Sequence, residues 1–211
     1  MFVENLFRDP AYFANVVVIV MISIGIHEYF HALAALSQGD DTAARQGRLT
    51  LNPLLHMGQA SVLMLVLFGI AWGETPVNRA RFKHPLSPAL VAFAGPFANL
   101  LMMIVCVFGA LVLQRAGASG TLADATQHFL SLAALMNAFL FLLNMIPLPP
   151  LDGFGVLETF LPPLRRYAVS LSQYGFLILV VLFLFFGLGG FLMGMARFMV
   201  GMVVSFALGI V

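Results

Sequence analysis

The pentapeptide His27-Glu28-Tyr29-Phe30-His31 stands inside an apolar run covering residues 14–36. Two imidazoles and a carboxylate are costly in hydrocarbon, so ionisable side chains at that depth mark a functional site by default. Read as a helix, the run puts His27 and His31 four residues apart on one face, with Glu28 one residue round. That is the H-E-x-x-H spacing of a zinc site, where two imidazoles bind the metal and the glutamate takes a proton from its water. The competing reading is two buried histidines satisfied by backbone or serine.

The whole chain is built to surround such a run. Of its 211 residues, 61% are hydrophobic and 9% charged, against roughly a quarter charged in soluble domains. This is the composition of an integral membrane protein with the lipid bilayer as its solvent. A formal charge of +1 directs it toward no nucleic acid. The single Cys106 excludes a disulfide framework and a cysteine-based metal site, and reads as a small lipid- or core-facing residue. The first apolar run lacks a small-residue cleavage site and carries the chemistry, so it is expected to stay rather than be removed as a signal peptide.

Residues 1–11 read as an interfacial lead-in, and 12–36 as the first span, long enough for a hydrocarbon core of about 30 Å. Residues 40–50 are polar. Asn52-Pro53 breaks any helix there, and the apolar run at 60–71 is short for a span. Residues 72–84 are polar and could form a short hairpin. Longer apolar runs follow at 86–113, 125–146, 168–186 and 190–208. If the short run only dips in and returns, Arg45, Arg48, Arg79, Arg81, Lys83, Arg165 and Arg166 share one side; if it crosses, that bias collapses. The distribution of basic residues therefore favours re-entry, five true spans and an outside N-terminus. The expected fold is an all-α polytopic membrane protein of five to six transmembrane helices, with a short re-entrant segment and room for a small β-hairpin. It forms one integral-membrane domain over residues 1–211, with its core at 12–157 and candidate gating helices at 168–211.

A catalytic zinc takes three protein ligands and leaves one position for water. After His31 the acids are Asp40, Asp41, Glu74, Asp124, Asp152 and Glu158. Asp152 ends an apolar run in a backbone broken by Pro147, Pro149 and Pro150, where unwound chain at membrane depth can line a cavity. It is the best candidate, with Glu158 as its rival, otherwise a surface carboxylate. Asn99 and Asn137 read as helix-packing amides beside small residues. His56 could face the metal or cap its own segment, His84 and His128 read as interfacial, and Arg197 as a snorkelling or internally paired cation.

Three ordered motifs now stand together: HEYFH, then Ala94-Gly95-Pro96-Phe97-Ala98-Asn99, then Asn144-Met145-Ile146-Pro147-Leu148-Pro149-Pro150-Leu151-Asp152-Gly153. Over residues 22–157 the sequence resembles the site-2 protease family of intramembrane zinc metalloproteases. The stretch 47–56 is similar to its compact bacterial subgroup, without PDZ or CBS modules. The resemblance implies one catalytic Zn2+ held by His27, His31 and Asp152, Glu28 as catalytic base, and Asn144 beside the site, engaging substrate or oxyanion. It also implies a transmembrane protein or peptide substrate and a multi-pass place in the bacterial inner membrane, leaving the oligomeric state open. The alternatives are a non-proteolytic membrane zinc protein or transporter, and a prenyl-processing type of protease with a glutamate third ligand.

Overall fold

The computed structural model describes residues 2–210, with the backbone alone at 165, 166 and 168–170. In chain order its helices are α1 (Asn5–Arg8), α2 (Pro10–Ser37), α3 (Thr42–Arg45), α4 (Pro53–Phe68), α5 (Ser87–Arg115), α6 (Thr121–Asn144), α7 (Asp152–Phe160), α8 (Arg165–Phe185) and α9 (Leu188–Leu208). Local chemistry sets several of the starts. Asp9 accepts the Tyr12 N–H at 2.9 Å with Pro10 at the first helical position of α2, and Asn52 accepts the Leu54 N–H at 3.0 Å with Pro53 opening α4. A side-chain acceptor followed by proline satisfies one of the free N–H groups at a helix start and presets the first φ.

Among the described residues four helices are long and apolar enough to cross a membrane: α2, α5, α6 and α9. They share one core, in which Ile19, Met103, Val107, Ala133, Ala134, Ala138 and Ala196 are buried together with Cys106. The alanines let backbones approach closely, which is how helices associate where lipid removes the hydrophobic drive. The Arg115 guanidinium donates to Ala207 O at 3.4 Å, so the C-terminal ends of α5 and α9 meet and the two helices run parallel. Where a fifth span is expected, α8 offers among the described residues only a shorter apolar helix, Leu171–Phe185.

The short run does turn back. From α3 the chain returns along α2, reaching Gly25 with Leu51 and Pro53, and α4 packs Met57 and Leu65 on Ile24. The helix breaks at Gly58 (φ 67°, ψ 170°) and ends with Gly69 against the ring of Phe2, at the N-terminal end of α2. The chain then climbs again as an extended strap over residues 70–78 until the Lys83 N–H donates to Gln38 O at 3.1 Å. Entry and exit of this loop thus lie at one end of α2, where Arg81 and Arg45 both hold Asp41, at 2.9 and 2.7 Å. The strap has no strand partner among the described residues, so the expected hairpin is replaced by extended chain and a single 3-10 turn, Arg79–Arg81.

Candidate metal centre

His27 and His31 lie ten and six residues before the end of α2, about 15 and 9 Å along its axis. Both are buried, as is Glu28. Helix α6 ends at Asn144, the proline-rich turn doubles back, and α7 opens with Asp152 in its first turn. This delivers the Asp152 oxygens to 3.1 Å from His27 Nε2 and 3.4 Å from His31 Nε2, while the two Nε2 atoms stand 3.0 Å apart. One donor atom from each of the three residues falls within 4.8 Å of the others.

The far side of each ring says what the near side presents. His31 Nδ1 lies 2.7 Å from the carbonyl of Val91, which can only accept, so Nδ1 carries the proton and Nε2 a lone pair. His27 Nδ1 lies 2.7 Å from Asn99 Oδ1. Two imidazole lone pairs and a carboxylate converging in a buried space repel one another unless a cation sits among them. Two imidazole nitrogens and a carboxylate oxygen, with room for water, are the donor set of a catalytic zinc. Helix α5 approaches so closely here that a Cβ on Gly95 would overlap the Nε2 atoms of both histidines. Only a glycine leaves that space open.

Glu28 is held apart from this cluster. The Thr75 hydroxyl donates to its Oε2 at 2.7 Å, and the strap passes so close that a Cβ on Gly73 would meet Oε1 at 2.5 Å. Glu28, His31, Asp152 and the strap residues Gly73, Thr75 and Val77 line one cavity of about 490 Å³. Glu158 lines it too, but 4% exposed and paired with Arg79 rather than with the histidines. It is neither a third ligand in this arrangement nor the surface carboxylate its spacing suggested. Asn144 donates its amide to Leu140 O at 3.0 Å and does not line the cavity. His56 is buried with Nε2 2.8 Å from Thr50 O, tying its own loop, and Arg197 lies exposed on α9. Sequence reasoning missed Thr75 and Gly73, which carry no recognisable spacing, and underrated Asn99, whose packing amide also touches His27.

Comparison with known proteins points the same way. The model of peptidase family M50 matches residues 114–188. YwhC of Bacillus subtilis (strain 168), named as a zinc metalloprotease, is 38% identical over 172 residues, covering 79% of this chain and 78% of the relative. Rip2 of Mycolicibacterium smegmatis, similarly named, is 34% identical across 77% of this chain and 63% of its own length. Rip2 of Mycobacterium tuberculosis H37Rv is 33% identical across 88% and 74%. No solved structure matches the chain. With the H-E-x-x-H helix and these relatives, the chain belongs to peptidase family M50, the zinc metalloproteases of the site-2 type.

Proposed function

We propose that this membrane-embedded zinc metalloprotease holds its metal with His27, His31 and Asp152, uses Glu28 as base, and cleaves transmembrane segments of other proteins at the cavity below the strap. The observation that carries the assignment is the convergence of the three donor groups beside a separately held carboxylate in one cavity. Zinc bound there supplies a Lewis acid that polarises a peptide carbonyl and acidifies a water. Glu28, with Oε2 pinned by Thr75, is free to take a proton on its other oxygen, Oε1. It then returns that proton to the leaving nitrogen.

A helical substrate hides its amides, so it must unwind to be cut. The strap offers it a template. Ser61 bonds Trp72 through both N–H and C=O, and the Glu74 N–H donates to His56 O, so this backbone edge faces α4. In extended chain alternate residues present opposite edges. Gly73 and Thr75 therefore turn theirs away from α4, where an unwound segment could pair by strand addition. Asn144 would reach such a segment after releasing Leu140. Ala196 and Leu192 bury α9 in the core, which leaves α8 as the element that opens the cavity sideways. The cluster of Arg45, Arg81 and Lys83 at the re-entrant end supports a cytoplasmic side for that end in a bacterial inner membrane.

The test is Glu28→Gln in protein reconstituted with a single-span substrate. Cleavage is expected to vanish while one zinc per chain remains bound. Full activity of the variant would sink the mechanism.

A further inference from the structure

We propose that Asn137 of α6, acting through Asn99 of α5, is a positioning residue that decides which nitrogen of His27 carries the proton, and so whether His27 can ligate a metal at all. The proposal rests on the zinc reading above and extends it to a residue that touches neither metal nor substrate.

A side-chain amide beside an imidazole is ambiguous in principle. If its oxygen faces Nδ1, that nitrogen is protonated and Nε2 offers a lone pair; if its NH2 faces Nδ1, the proton moves to Nε2 and the ring cannot bind metal through it. For His31 the question does not arise, because its partner is the backbone carbonyl of Val91. For His27 the partner is Asn99, and nothing in Asn99 alone fixes its direction.

The direction is fixed two helices away. Asn137 Nδ2 lies 2.9 Å from Ala133 O, one turn earlier in α6. A carbonyl can only accept, so Asn137 spends its NH2 there and turns its oxygen outward. That oxygen lies 3.0 Å from Asn99 Nδ2, which must donate. Asn99 is left with its oxygen toward His27 Nδ1, 2.7 Å away. Each link has one permitted polarity once the first is anchored, and the last link is a protonated Nδ1 and a bare Nε2. Asn99 and Asn137 are 1% and 0% exposed, so no water competes for these bonds. The cost of reversing the chain is a donor pointed at a donor in a buried site. A pair of amides needed only for packing would be satisfied by bonding each other; the third bond, to His27, is what packing does not require.

The experiment measures zinc affinity by chelator competition on the full chain in detergent, together with the visible absorption of the cobalt-substituted protein and a thermal melt. Asn137→Leu is expected to weaken zinc binding about 10- to 100-fold, the range for removing an outer-shell partner, and to alter the cobalt spectrum. Asn99→Asp replaces the amide by a carboxylate that can only accept. Beside Asn137 its second oxygen would meet Oδ1 acceptor to acceptor, so the rescue is read in the double variant Asn99→Asp/Asn137→Leu, which is expected to bind zinc more tightly than Asn137→Leu because the direction no longer depends on Asn137. Unchanged zinc affinity in Asn137→Leu, or no rescue in the double variant, overturns the relay. If Asn137→Leu does not fold, Asn137→Ala carries the same test, and unchanged zinc affinity in it overturns the relay. A wild-type chain that takes up no zinc overturns the metal reading itself, which separates the two failures.

Discussion

Two unwound segments flank the same cavity, and they are held in opposite ways. The strap at 70–78 has no regular structure of its own and borrows its course from partners: Ser61 and the His56 carbonyl on α4, Glu28 on α2, and Asp40 at the turn after α2. The turn at 145–151 borrows little. Pro147, Pro149 and Pro150 restrict its backbone, and two short-range bonds close it, Leu148 N–H to Ile146 O at 2.8 Å and Leu151 N–H to Leu148 O at 2.9 Å. One segment carries the partner of the base and the other delivers Asp152. Asp152, the proposed ligand, is thus placed by covalent restriction, while Glu28, the proposed base, is oriented by a segment held through side-chain partners.

The contrast is broken most directly from the proline side. Asp152→Ala should remove both bound zinc and cleavage, whereas Glu158→Ala should retain zinc, as read by metal content after dialysis; the reverse pattern would move the third ligand to Glu158. On the strap side Gly73→Val should lower cleavage by at least tenfold while zinc stays, since the added side chain must push the strap away from Glu28. Thr75→Val should lower kcat about tenfold, equivalent to the roughly 1.4 kcal/mol expected for one hydrogen bond to a carboxylate. Thr75→Ser should recover it. Loss of zinc in Thr75→Val would mean that the strap and the ligand set are not separable.

The smallest effect concerns Asp40. It is fully buried and accepts from the Thr42 hydroxyl and N–H at 2.5 and 3.0 Å and from the Asn78 N–H at 2.6 Å. Burial would push its carboxyl up, but the Thr42 and Asn78 donors and the Arg81 charge hold it below the ordinary value. A carboxyl depressed in the fold stabilises it fully above the unfolded value of about 4 and loses that contribution as pH falls through the folded one. Tryptic cleavage after Arg79 and Arg81 should therefore accelerate a few-fold in Asp40→Asn at neutral pH. Hydrogen exchange of the Asn78 amide in the wild type should lose protection only below about pH 4.

The long helices and the pairing of His27, His31 and Asp152 were legible because each depends on spacing within a run or on a break at its end. Basic residues favoured re-entry of the short run at 60–71, since their sidedness is a property of the whole chain. The strap was read as a hairpin because extended, polar sequence bounded by turn residues looks the same whether its partner is a strand or a set of side chains. The burial of Glu158 and the second contact of Asn99 escaped the sequence for a related reason. Whether a carboxylate meets solvent or Arg79, and whether an amide ends at a neighbouring helix or continues to an imidazole, is decided by residues up to 79 positions apart.

Gly95 gives the site an unusual vulnerability. The chemistry there depends on an atom that is missing, because the smallest possible side chain would fill the space where both Nε2 atoms converge. Gly95→Ala would then keep Glu28 and the strap but push both imidazoles from their places, and should lose zinc together with cleavage. Such a variant could still admit an unwound substrate to the cavity and keep it uncut, which makes it a trap for identifying the membrane proteins this protease acts on.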